Sequence, residues 1–306
     1  MDDLENRGRA MVLASFAGDS LALGAHWIYD TESIERLFGR VESYLKPGNH
    51  SYHATKQKGD FTHYGDQTLV LLQSLAQRKG FDLSDFSERW RTLFENYDGY
   101  VDYATRVTLS GYASGNSFRD PGSPSDDLAG AARIAPLVYA CRHDVERLVE
   151  SARAQTRMTH SNPLTVDAAE FFSRVAFQVL RGVSPTEAMR TISEEHFAGS
   201  QLSGWVREGM DSKTKKSVVT VTRFGQSCHV EEAFPGVVHL VARYEDNLRE
   251  ALIQSVMAGG DSAARGMLAG MILGASLGME SLPGQWIDEL VRKNDILKLT
   301  EELTPP

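Results

Sequence analysis

The chain has 306 residues, of which 42% are hydrophobic and 24% are charged, values typical of a globular protein with a large core. Its 32 basic and 41 acidic residues give a formal net charge of −9, which argues against nucleic acid or an anionic membrane as a partner. The amino-terminal segment lacks the apolar run of a signal peptide, and the most apolar stretch, 267–279, is shorter than a membrane span, so we expect a cytoplasmic protein.

Apolar residues recur every three to four positions along most of the chain, the spacing of helices that bury one face. One clear case is the series Phe86, Trp90, Leu93 and Tyr97. Similar patterns predict helices over 4–26, 67–79, 102–114, 126–141, 144–157, 163–181, 185–195, 234–242 and 245–278, the last with a break at Gly259–Gly260. Only 217–222 alternates as a strand does, and no Pro/Gly/Ser-rich linker divides the chain. We therefore predict a single all-α domain, a compact orthogonal multi-helix fold over 1–306.

Residues that favour helix starts support this assignment. Asp82 or Ser84 precedes Phe86 as a candidate N-cap, and the pairs Asn162–Pro163 and Ser184–Pro185 open two further predicted helices. These positions fix the expected helix starts more closely than periodicity does.

Two long polar segments, Lys46–Tyr64 and Ser114–Ser125, separate predicted helices. Long irregular loops in a compact domain are usually functional or disordered. The first loop carries His50, His53 and His63, and either a functional loop or a flexible surface loop agrees with its composition.

Glycines recur every fourth residue, from Gly266 to Gly278, in the apolar segment that follows Asp261. Each glycine in a helix interior costs about 0.8–1 kcal/mol relative to alanine. The stripe therefore predicts close approach of another backbone. Asp261 before it is a favoured N-cap residue.

A second glycine–aspartate pair, Gly65–Asp66, also precedes an amphipathic helix. Two acid-bearing helix starts that converge would form an all-oxygen environment suited to a hard cation such as Mg²⁺ or Mn²⁺. Asp30 is a further acid that either acts in the site or caps a helix near Glu32. The chain contains neither a P-loop motif nor a dinucleotide-binding glycine motif.

Five segments, in collinear order, resemble motifs of the ADP-ribosylglycohydrolase family. They are AGDSLALGAHW (17–27), GDFTHYGDQTLVLLQSL (59–75), AGAARIAPLVYA (129–140), MTHSNP (158–163) and AGGDSAARGMLAGMILGASLG (258–278). HWIYD, YGDQ, GQSC and GGD-x-AARG together resemble the J-type crystallin and selenoprotein-related branch, which includes lens structural proteins. The resemblance implies an all-α fold, two divalent ions between the helix starts, and cleavage of the bond that links ADP-ribose to an acceptor.

Carried onto this chain, the resemblance implies metal ligands at Asp66, Asp261 and Ser262. Two family aspartates are absent, because Gln67 and Ala263 stand at their positions. We therefore expect fewer ions than the usual two, zero or one Mg²⁺ or Mn²⁺.

The same resemblance implies that Gln67, Thr68, Gly130 and His160 contact substrate. Arg265 lies four residues after Asp261, on the same helical face. Its guanidinium is expected either to replace a cation, by pairing with Asp261 or with a substrate phosphate or carboxylate, or to form a structural i,i+4 pair of small value.

Three functions remain open from the sequence. The first is hydrolysis of an ADP-ribosyl or related N- or O-glycosidic bond in a small-molecule or ADP-ribosylated substrate, with Asp66 or Asp30 activating water. The second is a catalytically inactive, crystallin-like structural or ADP-ribose-binding protein. The third is redox use of Cys228, whose neighbour His229 favours the thiolate if the two side chains meet.

Overall fold

The computed structural model describes residues 3–303, and over that range the chain forms seventeen α-helices, one short 3₁₀ helix and no β-strand. The all-α prediction is confirmed. In chain order the α-helices are α1 (Asp3–Ala22), α2 (Thr31–Phe38), α3 (His63–Arg78), α4 (Leu83–Glu95), α5 (Tyr103–Ala113), α6 (Ala129–Ala132), α7 (Ala135–Ala140), α8 (Val145–Arg157), α9 (Pro163–Leu180), α10 (Pro185–His196), α11 (Gln201–Asp211), α12 (Ser217–Phe224), α13 (Val230–Arg243), α14 (Leu248–Met257), α15 (Ser262–Leu277), α16 (Gly284–Glu289) and α17 (Lys293–Glu302). The 3₁₀ helix covers Met279–Ser281.

Helices α1 and α15 form the centre of the molecule. Every residue from 10 to 22 in α1 is buried, as is every residue from 262 to 275 in α15. A helix that is buried on all sides needs neighbours on all sides. Besides α1, the helices α9, α13 and α14 pack against α15.

The glycine stripe of α15 faces the backbone of α1. A Cβ on Gly270 would lie 2.4 Å from the carbonyl oxygen of Ala14, and one on Gly274 would lie 2.8 Å from that of Ala10. The close approach predicted from the stripe is therefore confirmed. Gly278 differs, because it ends α15 with a left-handed φ of 73° and has no neighbour within 4 Å of a Cβ position.

The predicted caps are confirmed at three helix starts. Asp82 accepts hydrogen bonds from the backbone N–H groups of Ser84 and Asp85, and therefore Asp82 rather than Ser84 is the cap. Asn162 caps α9 and Ser184 caps α10, each followed by proline in the first helical turn.

The strand predicted over 217–222 is wrong, because these residues form α12. Ser217, Thr220 and Val221 are buried, at the i, i+3 and i+4 spacing of one helical face. The Ser217 hydroxyl also lies 3.0 Å from Nε2 of His239 in α13. Packing against α13 therefore overrides the strand preference of the β-branched residues.

The helix predicted over 126–141 is interrupted, because its first residues pair with another segment. The Leu128 N–H donates to the Cys228 carbonyl at 2.8 Å, and the Val230 N–H donates to the Asp126 carbonyl at 2.9 Å. The helical remainder is the short pair α6 and α7. The helix predicted over 4–26 ends at Ala22, and α11, α16 and α17 were not predicted. The helix expected near Glu32 is α2.

None of the helices within residues 3–303 has both the length and the apolar character that crossing a bilayer requires.

Candidate functional site

The carboxyl end of α1 joins the starts of α3 and α15. Asp19 in α1 accepts hydrogen bonds from the N–H (2.8 Å) and the hydroxyl (2.5 Å) of Thr62, which caps α3. After α1, the Trp27 N–H donates to the Gly260 carbonyl at 2.9 Å, and the Gly260 N–H donates to the Ile28 carbonyl at 2.8 Å. These bonds hold three of the recognised sequence motifs in contact at one place in the fold.

Asp261 is the N-cap residue of α15 and is completely buried. Its carboxylate accepts a hydrogen bond from the Ala264 N–H at 3.2 Å, which confirms the predicted N-cap. The Tyr64 hydroxyl, in the first turn of α3, donates to the other oxygen at 3.0 Å, and the two helix starts converge as predicted. Burial raises the pKa of Asp261, which the nearby Arg265 charge offsets only in part.

Asp66 lies in the first turn of α3 with 18% of its side chain exposed. Its Oδ2 accepts hydrogen bonds from the Lys56 ammonium and from the Tyr97 hydroxyl, each at 2.5 Å. Burial and the Asp66 charge raise the pKa of Tyr97, and its hydroxyl therefore remains a donor. Within residues 3–303 no hydrogen bond reaches Oδ1. The carboxylate is thus positioned through one oxygen, and the other is unengaged.

Arg265 is completely buried, and its side chain is directed to the end of α14. Its Nη2 donates to the carbonyl oxygens of Ser255, at 3.2 Å, and Gly259. No ion pair within 4.0 Å joins it to Asp261 in the described part of the chain, so the expected i,i+4 pair is wrong. The reason is that the carbonyls at the negative end of α14 attract the guanidinium. Burial lowers the pKa of Arg265 to about 10.

Gln67 and Thr68 bind other parts of the protein. The Gln67 Oε1 accepts hydrogen bonds from Arg133 Nη1 and Trp90 Nε1, both at 2.7 Å. The Thr68 hydroxyl donates to the Tyr64 carbonyl at 2.8 Å. Both residues are buried. Their assignment to substrate binding stays a prediction, and the contacts described here are internal.

Gly130 and His160 contact each other directly. A Cβ on Gly130 would lie 2.6 Å from Cγ of His160. The His160 Nδ1 lies 2.8 Å from the Thr159 hydroxyl, whereas its Nε2 has no partner among residues 3–303. Burial and Arg133 lower the pKa of His160 to about 4, and the ring is therefore neutral at pH 7. Substrate contact by this pair also stays a prediction.

Asp30 is exposed and caps α2. Its Oδ1 accepts from the Glu32 N–H at 3.2 Å, and its Oδ2 accepts from the Ser33 hydroxyl at 2.5 Å. The capping role is confirmed, whereas its role as a catalytic base stays a prediction.

A cluster of imidazole and aromatic rings packs beside these helix starts, with ring centroids 4.4–6.2 Å apart. It consists of His26, Trp27, Tyr52, His53, His63 and Tyr100. The three histidines are buried, and in the described chain none of their ring nitrogens forms a hydrogen bond, although His63 Nε2 lies 3.2 Å from the Asp102 carboxylate. Trp27 has a φ of 65°, which is unusual for a bulky residue. His53 and His63 of the Lys46–Tyr64 loop are therefore packed in the interior, and a functional role of this loop stays a prediction.

Sequence reasoning missed Lys56, Tyr64, Tyr97 and Arg133 as members of the site. Tyr64 and Arg133 lie inside two of the recognised motifs, and their position within those motifs was the signal that could have identified them. Lys56 and Tyr97 reach Asp66 from loop positions that have no motif.

Cys228 is not placed for thiolate chemistry. Burial, with the nearby Asp261 and Asp127 carboxylates, raises the pKa of its thiol well above the usual value. The adjacent His229 ring lies 2.8 Å from Asp126 instead. The redox prediction is wrong because the two side chains have different partners.

One group of three potential metal ligands is present within residues 3–303: Asp126, Asp127 and His229. It contains neither Asp66 nor Asp261. The hydroxyl of Ser262 is buried without a hydrogen-bond partner in the described chain.

The sequence profile of the ADP-ribosylglycohydrolase family matches residues 1–305. The chain belongs to the ADP-ribosylglycohydrolase family. Crystallin J1A of Tripedalia cystophora is 26% identical over 99% of this chain and 98% of its own length. The ADP-ribosyl-[dinitrogen reductase] glycohydrolase of Rhodospirillum rubrum is 27% identical over 77% of this chain and 75% of its own. A solved structure titled ADP-ribosylglycohydrolase-related protein complex shares the fold, with a TM-score of 0.76 at 24% identity over 99% of this chain and 98% of that one.

ADP-ribosylglycohydrolases generally use divalent metal ions, and the residues at this site fit such ions poorly. Asp66 is already paired with an ammonium group. Asp261 is occupied by an N-cap bond and a tyrosine hydroxyl. Gln67, at the position of a family aspartate, binds a guanidinium. Two dications need more carboxylate charge than these groups supply.

Proposed function

We propose that the chain hydrolyses an ADP-ribosyl or related N- or O-glycosidic bond, with Asp66 as the base that activates water. The observation that carries the proposal is the geometry of Asp66. It is a partly exposed carboxylate in a family motif, and it is held through Oδ2 by Lys56 and Tyr97 while Oδ1 is unengaged. A general base needs this combination of fixed orientation and one open oxygen.

In the proposed reaction, Asp66 Oδ1 accepts a proton from water as the water oxygen bonds to the anomeric carbon of ribose. The glycosidic bond to the acceptor breaks in the same displacement, and the acceptor leaves with the bonding electron pair and takes up a proton from solvent, while Asp66 returns its proton to solvent. Lys56 and Tyr97 hold the carboxylate in one orientation through its Oδ2 atom. The substrate is a small-molecule or ADP-ribosylated compound. The site holds at most one Mg²⁺ or Mn²⁺, because Asp66 and Asp261 are the acids that remain from the family's ligand motifs.

Release of ADP-ribose tests the proposal. The purified protein is incubated with ADP-ribosylarginine and, separately, with an ADP-ribosylated serine peptide, and free ADP-ribose is measured by chromatography. We expect the wild-type protein to release ADP-ribose. We expect the rate of release to fall at least about 100-fold in Asp66→Asn, because a general base contributes about 10²- to 10⁴-fold to the rate.

Asp30→Asn separates the two candidate bases in the same assay. Loss of turnover in Asp30→Asn with full turnover in Asp66→Asn would contradict the assignment to Asp66. An unfolded Asp66→Asn variant is recognised by its circular dichroism spectrum. Tyr97→Phe then serves as the second variant, since it removes one of the two groups that orient the carboxylate.

A second candidate function is a catalytically inactive, crystallin-like structural or ADP-ribose-binding protein. Complete burial of Asp261, Ser262 and Arg265 favours it, as does full-length similarity to Crystallin J1A. Calorimetric titration with ADP-ribose distinguishes a binding protein from a structural protein. Binding without turnover supports a binding protein, and the absence of both binding and turnover supports a structural protein. Turnover of either substrate would contradict this candidate.

A further inference from the structure

We propose that the ε-ammonium group of Lys56 is the resident cation at Asp66, at the position where the family motif would bring a divalent ion. This inference concerns the charge of the site and does not depend on hydrolysis. It follows from the poor fit between the residues present at this site and the divalent metal ions that the family generally uses.

Lys56 is held in place more firmly than an ordinary surface lysine. Its side chain is only 15% exposed, and its ammonium lies 2.5 Å from Oδ2 of Asp66. The same ammonium lies 5.2 Å from the centre of the Tyr97 ring, within the range of a cation–π contact. Its backbone N–H donates to the carbonyl of His53 at 2.9 Å, which fixes the turn that carries it.

A neighbouring residue anchors the same turn to the opposite side of the site. The Thr55 hydroxyl donates to the Asp98 carbonyl at 3.0 Å. Asp98 follows Tyr97, the other partner of Asp66. The loop that carries Lys56 and the segment that carries Tyr97 therefore close on Asp66 together.

The adjacent motif position has the same arrangement. Where the family has its second aspartate, Gln67 accepts a hydrogen bond from the buried Arg133 at 2.7 Å. Two consecutive positions of the motif thus contact basic side chains of the protein itself. A dication at Asp66 would meet a fixed like charge and would have lost one carboxylate ligand, and both changes disfavour its binding.

Manganese binding tests the inference directly. Protein freed of metal with EDTA is titrated with MnCl₂, and free Mn²⁺ is followed by electron paramagnetic resonance. We expect no bound Mn²⁺ at 0.1 mM in the wild-type protein and about one bound ion in Lys56→Met, where Asp66 loses its ammonium partner. The double variant Lys56→Met with Asp66→Asn should lose that ion.

Lys58→Met is the matched control, because Lys58 lies in the same loop and pairs with Glu289 at 3.0 Å instead of Asp66. It should bind no Mn²⁺. Lys56→Arg keeps the positive charge and should also exclude the ion, which provides a second variant if Lys56→Met fails to fold.

Two results would overturn the inference. One is Mn²⁺ binding by the wild-type protein that Asp66→Asn abolishes, since the ion would then displace Lys56. The other is a folded Lys56→Met variant with no gain of binding, since the ammonium would then not be what excludes the ion. Neither result depends on whether ADP-ribose is released, so failure of the proposed function is recognised separately.

Discussion

Gly270 faces the backbone of α1, and Gly270→Ala tests whether this contact sets the packing of the two central helices. The added Cβ would lie 2.4 Å from the Ala14 carbonyl oxygen and 2.9 Å from its carbonyl carbon. Ordinary contacts begin at 3.4 Å. Because both neighbours are backbone atoms in buried helices, the strain requires the helices to move apart by about 1 Å in a close-packed interior.

Two opposing effects determine how much Gly270→Ala changes the free energy of unfolding. Overpacking of a dense core costs about 1–3 kcal/mol, and the upper end applies here because no flexible side chain can yield. Replacing glycine by alanine in a helix interior returns about 1 kcal/mol. We therefore expect Gly270→Ala to lower the free energy of unfolding by about 2 kcal/mol.

Gly204→Ala is the matched control. Gly204 lies inside α11, and a Cβ there would have no neighbour within 4 Å. The same chemical change should therefore raise the free energy of unfolding by about 0.5–1 kcal/mol. Reversible urea unfolding followed by far-ultraviolet circular dichroism measures both variants, with the midpoint compared at a common m-value.

The free energy of unfolding should fall in Gly270→Ala and rise in Gly204→Ala relative to the wild-type protein. The two variants should therefore differ from each other by about 3 kcal/mol. If Gly270→Ala is as stable as Gly204→Ala, the glycine stripe does not set the distance between α1 and α15. The packing explanation of the stripe would then be wrong.

Two further outcomes follow from buried charges. Burial lowers the pKa of His53 to about 3 and that of His160 to about 4, whereas an unfolded histidine has a pKa of about 6.5. Their contribution to the free energy of unfolding is therefore fully present above pH 6.5, and it is lost as the pH falls below 6.5. Each histidine contributes a slope of up to about 1.4 kcal/mol per pH unit. Burial raises the pKa of Asp19 to about 7 and also raises that of Asp261, so both carboxyl contributions are lost as the pH rises and oppose the histidines. Burial also lowers the pKa values of His26 and His239, which add to the effect of His53 and His160, and the four histidines outweigh the two carboxyl groups. Urea midpoints that do not change between pH 7 and pH 5 would contradict this balance. Arg265→Ala removes the hydrogen bonds to the Ser255 and Gly259 carbonyls and should lower the free energy of unfolding by about 3 kcal/mol, whereas an unchanged urea midpoint would contradict its structural role.

The helices with long apolar periodicity and clear caps could be predicted from the sequence, as α9 and α10 show. The short elements could not. Six residues such as 217–222 satisfy both an alternating pattern and an i, i+3, i+4 pattern, and contact with α13 decides between them. In α11, Gly204 and Gly209 weaken the local preference for a helix, and tertiary packing stabilises the segment.

The site was predictable in its acids and less so in their partners. The motifs identified Asp66 and Asp261, and the cap geometry placed Asp261 correctly. Helical spacing put Arg265 on the same face as Asp261, but spacing does not determine which acceptor a long side chain reaches. The carbonyls at the end of α14 come from a separate helix, and their position follows only from the assembled fold.

The three acids at the junction of α1, α3 and α15 share one property that supports our proposal of fewer than two metal ions at this site. Asp19 is bound by Thr62, Asp66 by Lys56 and Tyr97, and Asp261 by Tyr64 and its own helix. A carboxylate whose hydrogen bonds come from the protein needs no ion to satisfy it. Only Asp66 combines such partners with partial exposure and an unengaged oxygen. The hydrolysis that we propose therefore depends on this one carboxylate and on the lysine that pairs with it.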